Sequence, residues 1–326
     1  MEVNYIMKKI IYIFILMILA ISILGVYLTK EKNSNNGNKE SNVISSTETK
    51  DYTTVVDNNS VNKMVIPEKN LENIFEYRNE NRDRMILLFK NKITDNNSII
   101  QYSDKPIPIL MYHSIAYEKG NDVRIPKEKF REQMKFLKDN GYTSLTLDEV
   151  NDLFTSNFPV PKKSVVITFD DGYVDNYTNA FPILKEFGIK ATIFVITDWA
   201  DKLPQFMTIS QLREMDENGI DIEAHTQIHD LLDKLTYEEQ LKTLKGSKEF
   251  LEKNLNKRVS FMAYPFGKYN STTIKATRDA GYTVALKMSG GFAKKENGLL
   301  TLNRIYIGAN DSIDTFKNKI SIPIYK

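Results

Sequence analysis

Hydrophobic and polar positions change period repeatedly along this chain, and the changes mark out its elements. From Pro106 onward, short apolar runs alternate with amphipathic stretches. The runs predict strands over Ile107–Tyr112, Ser164–Phe169, Ala191–Ile196, Ile220–Ala224, Val259–Ala263, Thr283–Leu286 and Leu302–Ile307. Between them the period lengthens. Phe130, Met134 and Leu137 share a helical face that stops at Asn140-Gly141, a good C-terminal cap. Thr146-Leu147-Asp148-Glu149 and Thr236-Tyr237-Glu238-Glu239 both fit a capping box, in which a threonine hydroxyl and a glutamate three residues on satisfy each other's backbone N–H groups. Strands alternating with helices argue for a parallel α/β sheet with helices outside, and seven units favour a barrel over an open sheet.

The N-terminal third reads differently. After Lys8-Lys9, the run Ile10–Leu28 is uncharged over about 19 residues, roughly 28 Å as a helix and enough to cross a bilayer core. A basic start predicts a short cytoplasmic N-terminus over 1–9, a membrane-spanning anchor over 10–28 and the remainder outside the cell membrane. A cleaved signal peptide with secretion is the alternative, although the run is long for one and lacks a clear small-x-small cleavage site. Residues 29–66 turn to Asn, Ser, Thr and Lys and predict a disordered linker. Residues 67–104 predict a partly helical spacer, and 105–326 the folded domain.

Composition narrows the chemistry. The 326 residues carry 44 basic and 42 acidic side chains, so nothing electrostatic points to nucleic acid. There is no cysteine, which removes disulfides, thiolate metal sites, cysteine nucleophiles and lipid attachment through cysteine. The chemically capable residues cluster by position. His113 follows the first predicted strand, Asp170-Asp171 the second, His225 the fourth and Tyr264-Pro265-Phe266-Gly267 the fifth. In a β/α barrel the carboxyl ends of the strands form one face, where active sites are built.

The chain has only three histidines, His113, His225 and His229, all at or just past predicted strand ends. His225-Thr226-Gln227-Ile228-His229 sets two imidazoles four residues apart, so both can be aimed at one ion. Two neutral imidazoles and one carboxylate make a facial ligand set that leaves positions open for water and substrate. A carboxylate from Thr168-Phe169-Asp170-Asp171-Gly172 completes it, and the ion explains why two acids sit side by side at the end of a buried strand.

Thr168-Phe169-Asp170-Asp171-Gly172 followed by His225-Thr226-Gln227-Ile228-His229 resembles the first two motifs of the polysaccharide deacetylases, the NodB-homology enzymes of carbohydrate esterase family 4. The resemblance covers about Pro106 to Lys326 and implies a distorted (β/α) barrel, a divalent metal that is usually Zn2+, and removal of acetyl groups from N-acetylated sugars. Carried over by motif position, Asp171, His225 and His229 hold the metal and Asp170 is the catalytic base. A backbone N–H near Phe266 is the oxyanion donor beside the metal. The chain departs from the family in two places. Ala263-Tyr264-Pro265-Phe266-Gly267 has alanine where an arginine usually opens the third motif, so Asp170 needs another orienting partner. No late Leu-x-His motif is present, since no histidine follows His229. Pro108-Ile109-Leu110-Met111-Tyr112-His113-Ser114 instead resembles the front of the subgroup that deacetylates poly-N-acetylglucosamine, which makes His113 the candidate general acid.

Four further residues are weighed against plainer roles. Arg304, in the last strand, is a candidate replacement for the missing arginine; Trp199 and the Tyr264 and Phe266 side chains are candidates for substrate contact, or simply packing. Asp175 reads as a first-turn helix residue favoured by the dipole. Asp311 and Asp314 are set aside, because Phe316 stands where a fourth-motif tryptophan is expected. The resulting expectation is a membrane-held enzyme facing an N-acetylated polysaccharide, either exopolysaccharide or peptidoglycan. The alternatives are an O-acetyl polysaccharide esterase, less dependent on His113, and a non-catalytic glycan-binding module, indifferent to loss of Asp170.

Overall fold

The computed structural model describes residues 100–322. The predicted membrane span over 10–28, the linker over 29–66 and most of the spacer over 67–104 lie outside the described residues. Among the described residues no helix is long and apolar enough to cross a membrane.

The elements run β1 (Ile100–Gln101), β2 (Ile109–Tyr112), α1 (Lys127–Asp139), β3 (Thr143–Ser144), α2 (Leu147–Ser156), β4 (Val160–Pro161), β5 (Ser164–Phe169), α3 (Phe181–Phe187), β6 (Thr192–Val195), α4 (Ile209–Glu217), β7 (Asp221–Ala224), α5 (Tyr237–Leu255), β8 (Phe261–Ala263), α6 (Ser271–Asp279), β9 (Val284–Gly290), β10 (Leu302–Tyr306) and α7 (Ile313–Ser321). Seven parallel strands close on themselves in the order β2-β10-β9-β8-β7-β6-β5, with β5 pairing back to β2. All seven are the strands predicted from the apolar runs. The ends differ by a residue or two, except at β9, which continues four residues past Leu286. The expected barrel is therefore present. Two small additions were not anticipated: β3 lies beside the start of β5, and Ile100–Gln101 of the predicted spacer pair antiparallel with Val160–Pro161.

Alternation along each strand sorts two layers. Leu110, Ile167, Ile193, Met262, Ala285 and Ile305 pack outward against helix residues such as Phe130, Leu184, Leu212, Leu244 and Phe316. Ile109, Val166, Phe194, Phe261, Leu286 and Leu302 fill the interior, and α2 adds Leu147, Val150, Leu153 and Phe154 to that cluster, closing the end where the strands begin. Helix α2 starts at the predicted capping box, with Thr146 Oγ1 accepting from the Glu149 N–H and the Glu149 carboxylate accepting from the Thr146 N–H. A barrel packed solid at one end leaves the opposite end, where the strands finish, as the place for polar chemistry.

Candidate active site

On β5 the residues alternate inward at Val166 and Thr168, so the next inward position falls to Asp170, which is 2% exposed. On β10 the inward positions are Leu302 and Arg304, and Arg304 is fully buried. The two meet across the barrel mouth. Arg304 Nη1 donates to Asp170 Oδ1 at 2.7 Å and Nη2 donates to Oδ2 at 2.6 Å, a bidentate pair. The guanidinium is itself held, with Nη1 donating to Thr168 Oγ1 at 3.1 Å and Nε donating to the Lys287 carbonyl at 2.9 Å. Burial alone would raise the Asp170 carboxyl, but the Arg304 guanidinium outweighs it and holds the group well below the usual carboxylate range. The partner that Asp170 needed thus comes from the last strand, while position 263 is a buried alanine.

Asp171 departs from the strand. Its φ of 75° and that of Gly172, 82°, turn the chain in the left-handed region, which an aspartate tolerates better than most residues. The turn aims Asp171 away from its neighbour and toward two imidazoles: Oδ1 lies 3.5 Å from His225 Nε2 and 3.5 Å from His229 Nε2. One ligand atom from each of the three residues lies within 4.8 Å of the others. His225 Nδ1 is 2.8 Å from the Ala263 carbonyl, which can only accept, so the proton sits on Nδ1 and the Nε2 lone pair faces Asp171. Burial pushes His225 down to about 3, and burial likewise lowers His229, so both rings are neutral. Burial and then the charge of Asp170 push the Asp171 carboxyl up to about 7, against a hydrogen bond from Tyr173. Asp171 Oδ1 is a buried acceptor with no hydrogen-bond partner. Two neutral imidazole nitrogens converging on an unpartnered carboxylate oxygen suit a divalent cation, and the donor set is one that zinc takes.

The segment between the histidines is a loop rather than a helical turn. Thr226 and His229 both have positive φ, 63° and 64°. His229 is packed between aromatic rings, with the Phe266 ring centroid at 4.3 Å and Trp199 at 6.1 Å. Trp199 continues to Phe206 at 4.8 Å, and Phe206 stacks on Tyr173 at 5.1 Å. Trp199 and Phe266 therefore stand beside His229 at the mouth. Tyr264 does not. It is fully buried, its hydroxyl donates to the Leu300 carbonyl at 3.0 Å, and its ring stacks on Tyr269. Its assignment to substrate is corrected: at a strand end, a tyrosine and the residue two along look alike in sequence, and only the turn decides which one faces the mouth. Phe266 sits in that turn with φ 57°, between a buried Pro265 and Gly267.

His113 follows β2 directly, beside Asp170 at the end of β5, since the Asp170 N–H donates to the Tyr112 carbonyl at 2.9 Å. Its Nδ1 is buried without a hydrogen-bond partner, and its ring meets Tyr306 of β10 edge-on at 6.3 Å. Burial lowers its pKa, Asp170 works against that and Arg304 adds to it. The segment is anchored by residues whose part in holding it the sequence reading missed. Asp175 is buried, and its carboxylate accepts from Ser114 Oγ at 2.7 Å and from the Ile115 N–H at 2.6 Å. The Asn176 amide donates to the His113 carbonyl at 2.7 Å. Asp175 does stand in the first turn of a helical segment, as expected; its hold on the segment after β2 is a further role that the sequence did not suggest. Asp311, set aside as a motif residue, accepts from Lys319 at 2.6 Å and from the Gly308 N–H at 3.0 Å.

Comparisons with known proteins agree with this geometry. The family model for polysaccharide deacetylase matches residues 158–285. YxkH of Bacillus subtilis, named as a polysaccharide deacetylase, is 38% identical over 227 residues, spanning 69% of this chain and 80% of YxkH. The poly-beta-1,6-N-acetyl-D-glucosamine N-deacetylase of Staphylococcus epidermidis is 32% identical over 206 residues, spanning 59% of this chain and 70% of that protein. The solved structure of the Streptococcus pyogenes deacetylase PplD in complex with acetate superposes with a TM-score of 0.64 at 35% identity, spanning 67% of this chain and all of that one. The chain belongs to the polysaccharide deacetylase family and is a hydrolase of that class.

Proposed function

We propose that the chain is a metal-dependent N-deacetylase that releases acetate from N-acetylglucosamine residues of a cell-surface glycan. One observation carries this reading: an ionised carboxylate locked by a buried arginine stands next in sequence to a carboxylate that converges with two neutral imidazoles. Asp171, His225 and His229 would hold the ion, with zinc the best fit to one oxygen and two nitrogens. When bound, such an ion acidifies water and polarises a carbonyl. Asp170, fixed by Arg304, orients the attacking water and takes its proton. His113 delivers a proton to the departing amine. Since burial keeps His113 neutral at rest, that proton arrives during turnover, and Asp170 at the neighbouring strand end is its source within the site. The Phe266 N–H is the proposed donor to the developing oxyanion. The Trp199 and Phe266 rings offer apolar faces to sugar rings.

The names of the staphylococcal relatives favour poly-N-acetylglucosamine as substrate, and peptidoglycan shares the same acetamide. The uncharged run over 10–28 is the sequence argument for holding the enzyme at the outer side of a membrane. The full chain, loaded with zinc, is to be assayed on acetylated glucosamine oligomers and on muropeptides, reading released acetate and free amines. Release from one class identifies the substrate. A metal-bound protein that releases neither contradicts the proposal.

A further inference from the structure

The loop that carries both histidines contains two non-glycine residues with positive φ, Thr226 and His229, and such backbone persists only where its surroundings over-determine it. One side is supplied by the segment after β6: the Thr197 N–H donates to the Thr226 carbonyl at 3.2 Å, and the Asp198 N–H donates to the Gln227 carbonyl at 2.9 Å. The other side is supplied by a single residue of α5. Thr243 Oγ1 accepts from the Gln227 N–H at 3.1 Å and donates to Asp230 Oδ2 at 2.6 Å. Thr243 is 6% exposed, so this hydroxyl competes little with solvent. One turn further along α5, Gly246 leaves room for Gln227: an added Cβ would stand 2.7 Å from its side-chain amide. The loop's own closure, Asp230 N–H to Thr226 Oγ1 at 3.2 Å, completes the set.

These contacts divide the two imidazoles. His225 is oriented by its own hydrogen bond to the Ala263 carbonyl. Among the described residues, none is found for the His229 ring, which is placed by ring packing and by the backbone on either side of it. We infer that Thr243, on a helix outside the barrel, is a positioning residue: by tying Gln227 to Asp230 it sets His229 against Asp171 and His225. The inference rests on the reading of those three residues as metal ligands.

The test is zinc affinity of the full chain, measured by competition with a chelating dye, with metal-free thermal stability measured alongside. Thr243→Val keeps the shape and removes both hydrogen bonds. It should weaken zinc by about 10- to 100-fold, as loss of an outer support commonly does, and should shrink the zinc-induced rise in Tm more than it lowers the metal-free Tm. Thr243→Ser restores the hydroxyl and should bind close to wild type. Where the valine variant does not fold, Thr243→Ala compared with Thr243→Ser puts the same question with helix-compatible side chains. Wild-type affinity in the valine or alanine variant, or equal losses with and without the hydroxyl, overturns the inference while leaving the ligand reading intact. A wild-type chain that binds no zinc overturns both.

Discussion

The two sides of the barrel mouth are built from adjacent residues and end in opposite states. On the Asp170 side both carboxylate oxygens are matched: two charge-assisted hydrogen bonds tie them to Arg304, and Arg304 is secured by Thr168 and the Lys287 carbonyl. On the Asp171 side the carboxylate is also buried, yet Oδ1 faces two imidazole nitrogens and receives no proton from either. A carboxylate paired with guanidinium stays ionised; one surrounded by lone pairs and low dielectric is pushed toward neutrality. The first carboxylate is satisfied by the protein alone. The second leaves a buried acceptor unmatched, which the proposed cation would satisfy.

Changes at four residues should break or sharpen this contrast. The largest effect is expected for Asp170→Asn, which keeps the shape and removes the proposed base. Turnover should fall by about 10²- to 10⁴-fold while zinc affinity stays near wild type. Unchanged activity would instead favour a binding module or another base.

Next comes Arg304. Removing one member of a buried ion pair typically costs about 3–5 kcal/mol, so Arg304→Met should lower stability by that order in denaturant unfolding. Arg304→Lys keeps the charge but loses the planar fork, and the acidic limb of its pH–rate profile should move to higher pH as Asp170 is released from its low pKa. An unmoved limb would mean that Arg304 does not set the state of Asp170.

Asp171 should behave in the opposite sense. Its folded pKa of about 7 lies above its ordinary 3.8, so between those values the folded state binds more protons than the unfolded one. Metal-free stability should therefore fall as pH rises from about 4 to about 7, by up to about 4 kcal/mol, and then level off. Asp171→Asn should flatten that slope and abolish stabilisation by zinc. A steep slope retained in the variant would assign it to another group. The smallest effect is expected at Trp199, where alanine should raise KM through about 0.5–1.5 kcal/mol of lost ring contact and leave kcat nearly unchanged.

Much of this was legible in the sequence because strand periodicity is a local property. Seven apolar runs were enough for the barrel, and the capping boxes fixed where α2 and α5 begin. The convergence of Asp171 with the two histidines was legible because all three fall at or just past strand ends. What could not be read was set by the turn after each strand. Tyr264 and Phe266 are two residues apart, and the positive φ at Phe266 leaves one in the core and the other on the mouth. Asp175 is a helix-start residue as read, but it also reaches back to hold the segment after β2, a contact 60 residues distant in sequence. Arg304 could be named only as one candidate, because its partner lies 134 residues away and only barrel closure brings them together.

The most direct test of the division between the two aspartates is an anomalous-diffraction structure of zinc-soaked crystals of the full chain. The account predicts one ion within about 2.0–2.2 Å of an Asp171 oxygen and the Nε2 atoms of His225 and His229, with Asp170 still paired to Arg304. An ion bound to Asp170, or an ion that leaves Asp171 turned away, would contradict it.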